Sequence, residues 1–189
     1  MSECSAAGET GQGAAVACTG RRVPLLVTAE LPDDVLAWVD GLRRQHYPPD
    51  RNRLKAHVTL FHALPPSAGD EVRRLLGEFA AAAPPEARIT GLMDLGEGTA
   101  FDVESPGMVE QHARLVERLH GLAQQKDVCA PRLHITVQNK VSRQDARRLQ
   151  VHLAAEFRPR GFRFRGFGLY AWDGKLWNFE RLFPFRGAR

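Results

Sequence analysis

The chain has 189 residues, 43% apolar and 25% charged, which suits one ordinary domain with a sizeable core. Its formal charge of +4 makes the surface permissive for anionic partners, but an excess of this size does not by itself indicate nucleic acid. Three scattered cysteines, Cys4, Cys18 and Cys129, fit neither a disulfide framework nor a zinc ligand set, and no run approaches the roughly 18 apolar residues of a membrane span.

The first twenty residues are rich in Gly, Ala and Ser without periodicity, so residues 1–21 are expected to form a mobile tail. AVAC at its end resembles a lipoprotein processing site, yet neither a basic start nor a sustained apolar run precedes it. A reducing, cytoplasmic setting is therefore expected. VPLLVTAEL (23–31) reads as a strand stopped by Pro32, and Asp33 and Asp34 open a helix to about Arg44 with Val35, Leu36, Val39 and Leu42 on one face. HYPPDRN (46–52) is a loop. HVTLF (57–61) is a second strand, followed by a helix over about 69–82 with Val72, Leu75, Leu76 and Phe79 as its stripe.

ARITGLMDL (87–95) and TAFDVES (99–105) read as a hairpin, after which Ser105-Pro106 opens a helix carrying Val109, His112, Leu115, Val116, Leu119 and Leu122 on one side. HITVQ then precedes a helix at about 142–157, with Ala146, Leu149, Leu153 and Phe157 apolar. GFRFRGFGLYAW (161–172) and KLWNFERLFPF (175–185) complete the chain as a hairpin around Asp173-Gly174. The strict alternation of Arg163 and Arg165 with Phe162, Phe164 and Phe167 describes a half-buried strand better than an RNA-binding stripe. The two halves share one order of elements, each with a His-x-Thr strand between helices.

That duplication carries the chemistry. Strand side chains alternate, so His57 and Thr59 project from one face while Val58 and Leu60 anchor the other, and His134 and Thr136 do the same in front of Ile135 and Val137. Related by an approximate two-fold axis, the pairs face each other across a cleft. Free imidazole titrates near neutrality, so one ring can accept a proton while the other donates one. Attack on a phosphodiester needs a base and an acid on opposite sides of phosphorus, and threonine hydroxyls can steady its non-bridging oxygens. No metal or other cofactor is required by this scheme.

HVTL (57–60) and HITV (134–137), within HYPPDRNRLKAHVTLFHALPP and PRLHITVQNKV, resemble the paired motifs of the 2H phosphoesterases, which include 2′-5′ RNA ligase-like proteins and 2′,3′-cyclic phosphodiesterases. The likeness spans about residues 23–185. It implies an α+β, bilobal fold with two pseudo-two-fold-related lobes, roughly 22–86 plus the C-terminal strands and 87–185, whose mainly antiparallel sheets line a central cleft with helices outside. It also implies acid–base cleavage of cyclic phosphates or 2′-5′ linkages in RNA or nucleotides, with His57, Thr59, His134 and Thr136 as the catalytic set. The assignment of acid and base between the histidines is open. A single His-x-Thr triplet would be a weak signal; two in matching strand contexts are far more specific.

Two further residues are candidates for substrate contact. Phe61 shares the face of His57 if the strand is regular, where it stacks a base, with a core position as the alternative. Arg132 lies two residues before His134 and pairs with a phosphate oxygen or, equally, stays solvated. Trp172 and Trp177 are either packing or a substrate wall. His62 falls on the opposite strand face and is read as structural, as are His46, His112, His120 and His152. Cys129 is read as incidental. The expected function is metal-independent hydrolysis of 2′,3′-cyclic or 2′-5′ phosphodiesters, in principle reversible as ligation. A non-catalytic RNA- or nucleotide-binding module using the same cleft is the alternative; the expected partner is the nucleotide substrate, with no membrane, no obligate protein partner and a monomeric state.

Overall fold

A computed structural model describes residues 23–188, so the expected tail over residues 1–21, with Cys4, Cys18 and the AVAC stretch, lies outside the described residues. The first part of the chain runs β1 (Leu25–Glu30), α1 (Asp33–His46), β2 (Val58–Leu64), a 3₁₀ turn (Pro66–Ala68), α2 (Gly69–Phe79) and β3 (Glu86–Asp94). The rest runs β4 (Gly98–Glu104), α3 (Pro106–Arg118), α4 (Gln125–Val128), β5 (His134–Asn139), α5 (Arg143–Glu156), β6 (Arg160–Arg163), β7 (Gly166–Trp172) and β8 (Trp177–Pro184).

All strand pairs are antiparallel, in the order β6-β3-β4-β5-β2-β1-β7-β8, and the fold is α+β. The two motif strands are innermost. They meet at one residue pair, Val58 opposite Ile135, which joins two four-stranded halves into a single open sheet. Outward from this seam, β1 neighbours β2 as β4 neighbours β5, so the halves mirror each other.

The helices cover one face of this sheet. On the first half, Val72, Leu75 and Leu76 of α2 and Leu115 of α3 close around Val27, Phe61 and Leu64. On the second half, Trp38 of α1 packs on Phe101 of β4 with ring centroids 4.8 Å apart, and α5 lies over β3 and β4. Thus α1 and α3, the helices that lead into the motif strands, each pack across the seam onto the other half. The central strands are covered on this side by apolar contact, and Val27, Ala29, Val58, Ile135 and Val137 are fully buried. Burial of the valine and isoleucine side chains supplies about 1.5–3 kcal/mol apiece and holds the seam closed.

Local chemistry explains the helix ends. Asp33 and Asp34 in the first turn of α1 and Arg43, Arg44 and His46 in its last turn complement the helix dipole. The Ser105 hydroxyl accepts from Met108 N–H at the start of α3, and Ser142 accepts from Asp145 N–H at the start of α5. Two helices stop earlier than periodicity predicts. α2 ends at Phe79 because the carbonyls of Ala80 and Ala82 receive Arg186 N–H (2.9 Å) and Gly187 N–H (3.0 Å) from the C-terminal segment. α3 ends at Arg118 because His120 and Gly121 adopt positive φ values of 47° and 80°, which no helix continues.

The expected single strand 161–172 is two strands that belong to opposite halves of the strand order. β6 pairs with β3, and β7 pairs with β1 and β8. The exchange occurs at Phe164 and Arg165, whose amides donate to Pro85 O (3.1 Å) and Glu30 O (2.9 Å) respectively. The alternation slips by one residue here, from Phe164 to Phe167, both of them buried, which is the one trace in the sequence that the backbone changes partner. Among the described residues no helix is long and apolar enough to cross a membrane.

Candidate active site

The pairing of Val58 with Ile135 joins the middle residues of the two His-x-Thr motifs. Continuing that register by one residue would set His57 beside Thr136 and Thr59 beside His134, with the two histidines on a diagonal of roughly 7–8 Å. Val58, Leu60, Ile135 and Val137 are 2% exposed or less, while all four motif side chains keep partial access to the opposite face. The two imidazoles are near enough to influence each other electrostatically.

The two rings are oriented identically. His57 Nδ1 lies 2.7 Å from Lys55 O and His134 Nδ1 lies 2.8 Å from Arg132 O, the carbonyl two residues earlier in each case. A carbonyl oxygen only accepts, so Nδ1 carries the hydrogen in both rings and Nε2 is the reactive end. Burial, the largest influence, pushes the His57 imidazole down to about 4, reinforced by the nearby Arg43 guanidinium and by His134, against the opposing Lys55 carbonyl and Asp40. Neutral His57 at physiological pH has a bare Nε2 lone pair.

Arg43, which the sequence did not single out, lies in the candidate site. Only 5% exposed, it donates to Thr136 O (2.7 Å), Asn52 Oδ1 (2.7 Å) and Leu54 O (3.0 Å), and its guanidinium lies over the Tyr47 ring. It therefore fastens α1, the loop before the first motif and the second motif strand to one another. Asp40 completes the fastening by accepting Ala56 N–H at 2.8 Å. Arg43 looked like an ordinary basic residue in the last turn of a helix, and only the fold brings its partners together.

Both motif strands are irregular just past the threonine. Between Thr28 and Val27 the β1 register moves one residue while β2 moves two, from Thr59 to Phe61. The same step occurs from Ala100 to Thr99 against Thr136 to Gln138. Such a bulge inserts one residue and reverses the faces beyond it. Gly98 permits the second bulge, since a Cβ there would collide with the Gln138 carbonyl.

The bulge corrects two expectations. Phe61 is not on the His57 face: it is 1% exposed and stacks on His112 at 4.8 Å in the core, as the core alternative required. His62, read as facing away, instead lines the cleft, and Asn139 takes the matching position on β5. The adjacent bulky pair Leu60-Phe61 was the available sequence signal, because regular alternation would not place two such residues in succession.

The cleft is a cavity of about 400 Å³ lined by His57, Thr59 and Thr136 together with His62, Asn139 and Arg43. Trp172 and Trp177, their rings 5.3 Å apart, form part of its wall, and Arg51, Arg53 and Lys175 add positive charge without a single Asp or Glu among the lining residues. Arg132 stands apart: it is exposed and paired with Asp102 at 3.1 Å, and His134 does not contribute to the lining of this cavity. A second cavity of about 530 Å³ shares Arg53, Leu54 and Trp177 with the first and contains Glu30, whose carboxylate accepts from Thr28 (2.5 Å) and Tyr170 (3.2 Å). Burial pushes the Glu30 carboxyl upward despite those two hydrogen bonds. Among the described residues no group of three or more His, Cys, Asp and Glu side chains is arranged to hold a metal ion.

Solved structures share this architecture. TT0787 of Thermus thermophilus superposes with a TM-score of 0.58 at 19% identity, over 88% of this chain and 100% of that one. E. coli LigT in apo form gives 0.54 at 17% identity, over 89% and 99%. E. coli LigT complexed with NADP+ gives 0.52 at 17% identity, over 85% and 96%. No curated protein matches the chain. The model of the 2′-5′ RNA ligase superfamily matches residues 31–176, covering both histidine motifs, and the chain belongs to that superfamily.

Proposed function

We propose that the protein is a phosphodiesterase that opens 2′,3′-cyclic phosphates or cleaves 2′-5′ linkages in RNA or nucleotides, with His57 as general base and His134 as general acid. The observation that supports this reading is the Val58–Ile135 pairing, which brings the two motif strands, with their identically anchored imidazoles, side by side. Nucleotide complexes of E. coli LigT, with 3′-AMP and with NADP+, support a nucleotide as the occupant.

In hydrolysis of a cyclic phosphate, neutral His57 takes a proton at Nε2 from the attacking water. The water oxygen bonds to phosphorus while the ester bond to one ribose oxygen breaks, and His134 donates its Nε2 proton to that departing oxygen. Thr59 and Thr136 hydroxyls donate to the non-bridging oxygens, where negative charge increases in the transition state. Run in reverse with a ribose hydroxyl as nucleophile, the same steps join two ends.

The test is turnover of the four 2′,3′-cyclic mononucleotides and of a short RNA with a cyclic phosphate end, in EDTA. Wild type is expected to hydrolyse at least one of them. If it turns over none while binding them as well as the His57→Ala and His134→Ala variants do, the cleft is a binding site without chemistry.

A further inference from the structure

We propose that His62, held by Asp127, binds a second phosphate of the substrate, separate from the one attacked between His57 and His134. This deepens the phosphodiester reading of the cleft and rests on it. The Asp127 carboxylate, with a side chain only 1% exposed, accepts His62 Nδ1–H at 2.6 Å and His62 backbone N–H at 2.9 Å. Because a carboxylate accepts and does not donate, Nδ1 is committed to Asp127 and Nε2 is the free end of a ring that is 50% exposed. The free end belongs to the same cavity as His57, Thr59 and Thr136.

A purely structural role leaves part of this arrangement unexplained. The contact from Asp127 to the His62 backbone is enough to fasten α4 to β2. The ring satisfies the second oxygen of that buried carboxylate, but this structural role does not require its other nitrogen to face a cationic cavity. The ring orientation is instead what an anion site needs, since the doubly protonated ring, paired at Nδ1 with a carboxylate, presents its Nε2–H in a fixed direction without loss of rotamer entropy on binding.

Position indicates which anion is bound. The motif histidines and threonines already provide base, acid and two donors for the scissile phosphate. His62 lies three residues beyond Thr59, which the bulge reduces to about two residue steps, roughly 7 Å along the strand past the motif. Lining residues Arg51, Arg53 and Lys175 make the cavity cationic, and its volume of about 400 Å³ accommodates more than one phosphate. Asn139, at the mirrored position on β5, has no buried carboxylate behind it; its Oδ1 instead accepts Lys140 N–H at 2.8 Å. The second phosphate site is therefore one-sided, and it would select nucleotides with a phosphate beyond the reacting one over simple cyclic mononucleotides.

The experiment compares binding of adenosine 2′,5′-bisphosphate and adenosine 2′-monophosphate to the full chain by calorimetry. Wild type is expected to prefer the bisphosphate by tenfold or more, His62→Gln to lose most of that preference with unchanged monophosphate affinity, and His62→Lys to retain it. Equal wild-type affinity for both ligands overturns the proposal, and so does a loss in His62→Gln that is the same for both. Thermal melting of each variant checks that the fold persists, and the lysine variant decides the matter if the glutamine variant does not fold. The readout needs no turnover, so a wild type that hydrolyses nothing but shows the preference, with His62→Gln removing it, would refute the proposed reaction and leave this phosphate site standing.

Discussion

The two halves of the sheet present the same motif with the same ring anchor and the same bulge, but they differ in what lies behind them. Arg43 sits in the interior beside His57, with its guanidinium spent on backbone and side-chain oxygens, and depresses the basicity of that imidazole. Beyond the bulge, the first half presents His62 backed by Asp127 and the second presents Asn139. Symmetry thus brings two identically anchored imidazoles together, while burial and Arg43 lower the basicity of His57 and the residue beyond each bulge differs between the halves.

The largest effect should come from removing either ring. His57→Ala and His134→Ala are each expected to lower kcat by about 10²–10⁴ with little change in affinity for a product nucleotide, measured by single-turnover kinetics and calorimetry. Unequal loss of binding between the two would break the equivalence of the halves. Next come the hydroxyls: Thr59→Val and Thr136→Val should each cost about 10²-fold in kcat if both donate to the developing charge. A variant with full activity identifies a threonine that serves only to space its strand.

The pH profile sharpens the contrast further. A base whose imidazole is held near 4 stays competent well below neutrality, so log(kcat/KM) should begin to fall only near pH 4, instead of near the 6.5 of a free histidine. Removing positive charge with Arg43→Met should move that limb upward and slow the reaction at pH 5 relative to pH 7. A limb that remains in place would mean the base is not His57. The same depression has a stability consequence: the unfolded chain binds a proton at this residue between about pH 6.5 and 4 and the folded chain does not. Its contribution is therefore present above 6.5 and lost as pH falls toward 4, which urea denaturation across that window would reveal as a declining midpoint. Smallest of all is Arg132→Ala, an exposed ion pair outside the cavity lining, where less than threefold change in kcat/KM is expected, on the order of the 1 kcal/mol or less that such pairs contribute.

Much of the secondary structure was legible because single elements obey periodicity. The α2 stripe of Val72, Leu75, Leu76 and Phe79 is buried as its spacing requires, and the motif threonines and histidines share a face because strands alternate. The irregular steps were not legible. The one-residue slip between Phe164 and Phe167 gave no indication of which strands the two segments join, and the bulges after Thr59 and Thr136 sent Phe61 inward and His62 outward. Arg43 could not be found at all from its neighbours in sequence, since its partners Asn52, Leu54 and Thr136 come from a loop and a distant strand.

By itself the sequence determined which residue types stand in front of an apolar strand face, twice, because side-chain alternation is a local property of the backbone. Tertiary structure alone decided that the two strands adjoin at Val58 and Ile135, and which imidazole is hemmed in by a buried cation. It also decided which third histidine is turned into the cleft, because pairing partners, bulges and desolvation arise only when remote segments compete for the same space.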